Sequence, residues 1–144
     1  YTSANTAYGK ALANTSGVDP RLFSFESGVN ESWVNSHNSG TFGHYFIASN
    51  NPQYINYSGV VNNEIYTVAT SIDEGLGITA FNGNLATKNT NLTLYSGLTD
   101  IYLPSKLSIG NRTASNRAHN APINRLTFWK TRLPDASLIN ITNT

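Results

Sequence analysis

The sequence predicts an all-β chain folded as an antiparallel β-sandwich with one short C-terminal helix. Three observations predict it. Turn-forming clusters recur at short intervals along the 144 residues, the runs between them are rich in β-branched and aromatic side chains, and a helix start is readable only near the end. The length suits one domain over residues 1–144, able to bury roughly 68–70% of its unfolded surface without covalent staples. The chain opens on Tyr1 and not Met, so the domain is expected to be a segment of a longer protein.

Turn signals stand at Thr15-Ser16-Gly17, Asp19-Pro20, Ser27-Gly28, Asn38-Ser39-Gly40, Asn50-Asn51-Pro52, Ser58-Gly59, Asn62-Asn63, Asp73-Glu74-Gly75 and Asn82-Gly83. They leave strands at 21–26, 32–36, 41–49, 53–57, 64–71, 76–81, 92–95, 106–109 and 123–130. Asn82-Gly83 is the pair best able to hold positive φ at both centres of a type I′ turn, so it predicts a hairpin with a return strand at 85–88. Asp73-Glu74-Gly75 joins 64–72 to 76–81, and the three segments form a meander. No helix is long enough for a parallel crossover, which leaves antiparallel pairing. Near the end, Pro134 is expected at the first helical position, with Asp135 in the first turn facing the positive end of the helix dipole. Leu138, Ile139 and Ile141 then give a two-turn helix an apolar side, which must be held by packing. Leu126 and Phe128 alternate on one face of the last strand and should point between the sheets, while Trp129, Leu133 and Leu138 clamp the helix against the sandwich end.

Charged residues are 12% of the chain and the net charge is +1. The concentrated positive field that a phosphate backbone requires is missing, so nucleic acid is not expected as a partner. Apolar runs such as Tyr45-Phe46-Ile47-Ala48 fall far short of the ~20 residues of a membrane-spanning helix, so no membrane insertion is expected. The absence of cysteine excludes disulfides and thiolate metal sites.

Glycoside hydrolysis needs two carboxyl groups across the scissile bond. The eight acidic residues are scattered, and the adjacent pair Asp73-Glu74 falls in a turn where both face water. His37, His44 and His119 share no metal-ligand spacing. The expectation is therefore a protein that is not an enzyme and carries no cofactor. Binding chemistry is better represented. Sugar recognition uses flat aromatic faces beside planar polar groups, and Trp33, Tyr54 and Tyr57 stand among Asn, Gln and Ser. The apolar-poor stretch 110–121 adds Arg112, Asn116, Arg117 and His119, suited to an acidic sugar or a neighbouring subunit.

One resemblance refines this reading. The run Lys106-Leu107-Ser108-Ile109-Gly110, a polar loop, then Ile123-Asn124-Arg125-Leu126-Thr127-Phe128-Trp129-Lys130-Thr131-Arg132-Leu133-Pro134-Asp135-Ala136-Ser137-Leu138 resembles the C-terminus of laminin-G-like, concanavalin-A-like domains. It is most similar to those of phage tail fibres and tail spikes, although the family more often has Ser where this chain has Pro134. The resemblance implies a jelly roll, a strand before the first turn with Tyr1-Thr2-Ser3 as its tail, and a virion or extracellular setting. It further implies attachment to cell-surface glycan and homo-oligomers, trimers in fibres. Many such domains hold calcium at the sandwich rim, an expectation that eight acids in all weigh against. Two alternatives remain: a structural capsid- or fibre-decorating domain touching a neighbouring virion protein, or a carbohydrate-binding module of a secreted bacterial protein.

Overall fold

The computed structural model describes residues 5–13, 20–27, 30–38, 41–48, 51–73, 75–92, 106–111 and 118–144. Among the described residues, ten strands and one helix follow in chain order: β1 (Asn5–Leu12), β2 (Arg21–Ser27), β3 (Asn30–Asn38), β4 (Thr41–Ala48), β5 (Asn51–Ser58), β6 (Ile65–Asp73), β7 (Gly75–Phe81), β8 (Asn84–Leu92), β9 (Lys106–Ile109), β10 (Ile123–Trp129) and α1 (Asp135–Thr142). Every pairing among them is antiparallel. They form two five-stranded sheets, ordered β10-β1-β6-β7-β8 and β5-β4-β3-β2-β9.

The β6–β7–β8 meander is present, and its second turn carries the expected chemistry: Asn82 and Gly83 have φ of 46° and 79°. The return strand runs to Leu92, longer than expected, and residues 93–95 of the strand expected at 92–95 lie outside the described residues. The larger difference is β1. The sequence reading put only a strand's tail at Tyr1-Thr2-Ser3, whereas a full strand spans Asn5–Leu12 and sits inside the first sheet between β10 and β6. Its small residues Ala7, Gly9 and Ala11 carry weak strand propensity. Hydrogen bonding on both sides, and the close approach that small residues allow, override that weakness.

The sheets meet over Ala7, Ala11, Tyr66, Val68 and Ile72 from one side and Leu22, Phe23 and Ile55 from the other. A register shift between Arg21 and Phe23 makes Leu22 the extra residue of a bulge, which turns both Leu22 and Phe23 into the core. Leu126 packs on this core, and Phe128 meets Phe23 and Phe25 edge-on at 5.2 and 5.5 Å. Phe128 is nevertheless 36% exposed, because β10 is an edge strand.

A second apolar cluster lies on the far side of the first sheet: Tyr8, Ala69, Ile78, Ala80 and Leu138, with Leu76, Trp129, Leu133 and Ile141 packed around them. Helix α1 therefore lies across the outer face of β6, β7 and β8, where the sequence reading had it at the sandwich end. Its start differs too. Pro134 has ψ of 152°, so it is the cap before the helix and not the first helical residue. The Pro134 carbonyl accepts from the Ser137 and Leu138 N–H groups, and Arg132 Nη2 meets Asp135 Oδ1 at 2.6 Å. The approach is held by Thr6 Oγ1, which donates to the Thr131 carbonyl (2.8 Å) and accepts from Leu133 N–H (2.9 Å). Among the described residues no helix is long and apolar enough to cross a membrane.

Candidate functional site

Helix α1 occupies the outer face of the first sheet, and in the second sheet the strand register sets which residues stand in line with one another. Directly paired residues of an antiparallel sheet share a face, and the phase alternates along each strand. Phe23 and Ile55, 1% and 0% exposed, fix the inner phase. They are joined by the row Phe23–Asn35–His44–Ile55. Two residues to either side run the rows Phe25–Trp33–Phe46–Gln53 and His37–Phe42–Tyr57. Trp33 and Tyr57, expected as sugar platforms, thus stand in different rows and Tyr54 in neither, and the side chains of all three lie outside the described residues.

The rows between and beyond these are different in kind. Ser108–Ser24–Val34–Tyr45–Tyr54 places two tyrosines side by side, and Arg21–Ser36–Gly43–Asn56 runs parallel to it. A third row, Lys106–Glu26–Glu31, brings two glutamates directly opposite each other on β2 and β3. The sequence reading missed this pair. Its signal was the Ser27-Gly28 turn, which folds the chain back between the two glutamates. Arg21 and Ser24 are 2% and 0% exposed, so at β2 these rows are buried. A buried guanidinium must be engaged, and Arg21 is. In register these rows combine adjacent tyrosine positions, a paired glutamate position and amide and hydroxyl residue types.

Of the stretch 110–121, Arg112, Asn116 and Arg117 lie outside the described residues. Its two ends are well tied. Gly110, at φ 71°, donates to the Leu22 carbonyl (3.0 Å) and accepts from His119 N–H (2.7 Å), while Leu12 N–H donates to the Pro122 carbonyl (3.0 Å). His119 corrects the sequence reading. At 2% exposure it is part of the interior and offers nothing to a ligand. Burial holds its pKa below the usual value, partly offset by a hydrogen bond with the Leu12 backbone. Histidine in an otherwise polar run reads as surface, and only the closure of the loop base onto β1 and β2 shows otherwise. Among the described residues no group of three His, Cys, Asp or Glu is placed to hold a metal ion.

No family profile and no curated protein sequence matches the chain. Its backbone, however, superposes on solved structures. The Ruminococcus gnavus IT-sialidase CBM40 matches with a TM-score of 0.82 and 16% identity over 99% of this chain and 84% of that one. The same module has been solved with α2,3- and α2,6-sialyllactose. A heptameric SAP-like pentraxin of Limulus polyphemus matches at 0.75 and 13% identity, over 98% of this chain and 70% of that chain. The binding domain of botulinum neurotoxin DC, in complex with rat synaptotagmin II, matches at 0.72 and 15%, over 99% of this chain and 36% of the toxin chain. The chain has the jelly-roll β-sandwich fold of these lectin-type domains. At such identities the likeness is one of fold.

Proposed function

We propose that this domain binds glycan without chemically altering it, and that the second sheet around Tyr54 supplies the contact. The observation that carries the reading is the match to a carbohydrate-binding module over 99% of the chain. The residue types that the register brings together support it chemically. Tyr45 and Tyr54 are suited to stacking on sugar C–H faces, Glu26, Glu31 and Asn56 to hydroxyl groups. The sialyllactose complexes of the neighbour make sialylated oligosaccharides the first ligands to try. An extracellular setting fits this role. The finer setting, a phage tail fibre or spike assembled as a homo-oligomer, rests on the C-terminal run alone, and calcium at the rim is no part of the reading.

A second reading has its own observation: the same fold engages a protein in the toxin complex. Leu107, Ile109 and Phe128, 39%, 56% and 36% exposed along the edge strands β9 and β10, would then mark contact with a neighbouring virion protein.

Glycan-array screening followed by calorimetry separates the two. Tyr54→Ala is expected to weaken sugar binding by roughly tenfold or more, the loss of one well-packed aromatic contact. Trp33→Ala tests another expected platform by the same measurement. A folded chain that binds no oligosaccharide, yet assembles by native mass measurement, would overturn the glycan reading in favour of the protein-contact one.

A further inference from the structure

The sequence contains a single Asn-Gly dipeptide, Asn82-Gly83. Asparagine before glycine is the pair most open to cyclisation, because no side chain hinders the following amide nitrogen. Here that pair sits at an exposed turn, and helix α1 ends directly against it. Gly83 N–H donates to Thr142 Oγ1 at 3.2 Å, and a Cβ on Gly83 would stand 2.9 Å from Asn143 Oδ1. The Asn82 side chain is held as well, its Oδ1 accepting from Thr67 N–H (2.8 Å) and Thr67 Oγ1 (3.2 Å). Thr67 Oγ1 also faces the Thr142 carbonyl, in the last turn of the helix. A hydroxyl has one proton, so the Asn82 amide and the helix end share it.

We propose that Asn82-Gly83 is a deamidation site guarded by helix α1, and that its conversion releases the helix in one direction only. While α1 is docked, the Gly83 nitrogen is occupied by Thr142 and the Asn82 amide is fixed by Thr67. When α1 lifts, the Gly83 nitrogen loses its proton to solvent base and bonds to Asn82 Cγ, and the side-chain nitrogen leaves as ammonia. Water then opens the five-membered ring to aspartate or isoaspartate. The net charge falls from +1 to zero. The new carboxylate is a stronger acceptor than the Thr142 carbonyl, so it captures the Thr67 proton. It also places negative charge beside the negative end of the helix dipole. Both effects oppose redocking, and isoaspartate further breaks the type I′ turn by adding a backbone carbon.

The test follows amide-to-acid conversion at residue 82 by peptide mapping of the full chain under mildly alkaline incubation. Thr142→Val, which removes the acceptor for Gly83 N–H, is expected to raise the rate by roughly two- to twelvefold, the factor one net hydrogen bond carries. Asn82→Asp, which mimics the product, is expected to raise hydrogen exchange across Asp135–Thr142 while the β6 and β7 amides stay protected. An unchanged deamidation rate in Thr142→Val overturns the guarding role. Unchanged helix exchange in Asn82→Asp overturns the one-way release. Should Thr142→Val fail to fold, the wild-type rate against that of the isolated turn peptide decides: equal rates overturn the proposal, and a slower folded chain supports it.

Discussion

A Cβ placed on Gly9 would stand 2.5 Å from Leu22 Cδ2 and 3.4 Å from Leu126 Cδ2. Leu22 is wholly buried and is the bulge residue that crosses toward the first sheet, so it has nowhere to retreat. The glycine is needed here for space. Gly9→Ala is therefore expected to destabilise the domain by ~1–3 kcal/mol, the usual cost of overpacking a filled interior, measured as a lower urea midpoint with unchanged slope. At the same scale, residue types were read well where local chemistry governs them and poorly where distant contacts do. Asn82-Gly83 announced its own turn. His119 gave no sign of its burial, because the contacts that enclose it come from Leu12 and Gly110, far apart in the chain.

Among the elements, the meander was legible because tight turns fix both of its connections, and the final strand because its apolar alternation is regular. β1 was not, since Ala7, Gly9 and Ala11 look like spacer residues until the strands on either side are known. The Tyr45–Tyr54 pairing was invisible for the same reason: it depends on the register of β4 against β5, not on composition. Helix α1 illustrates an element made stable from outside. It has no side-chain N-cap and no basic residue in its last turn, and it rests on Leu138 and on polar ties from Thr67 and Thr142. Leu138→Ala should cost about 2–5 kcal/mol, the range for emptying a buried leucine site. Trp129 packs in the same cluster, so its fluorescence should report the loosening along with global unfolding.

For the molecule as a whole, acid should be more damaging than neutral pH. The His119 pKa is lowered by burial in the folded chain, so on acidification the unfolded chain takes up the proton first. Stability is therefore full above the unfolded value of about 6.5 and declines as pH falls through it toward the folded value. Urea midpoints should drop between about pH 7.5 and about pH 5, and His119→Gln should flatten that slope whatever it does to the midpoint at neutral pH. An equal slope in both proteins would assign the acid sensitivity to other groups.

The placement of β1 has a consequence for synthesis. Thr6 is paired with Trp129 on one side and Ser71 on the other, so β1 leaves the ribosome more than a hundred residues before its partner β10 has been made. Until then β1 carries a bare hydrogen-bonding edge, the kind of edge that recruits foreign strands. The nascent domain has to wait for β10, and slow translation between the two strands would lengthen the interval in which it is most exposed to mispairing.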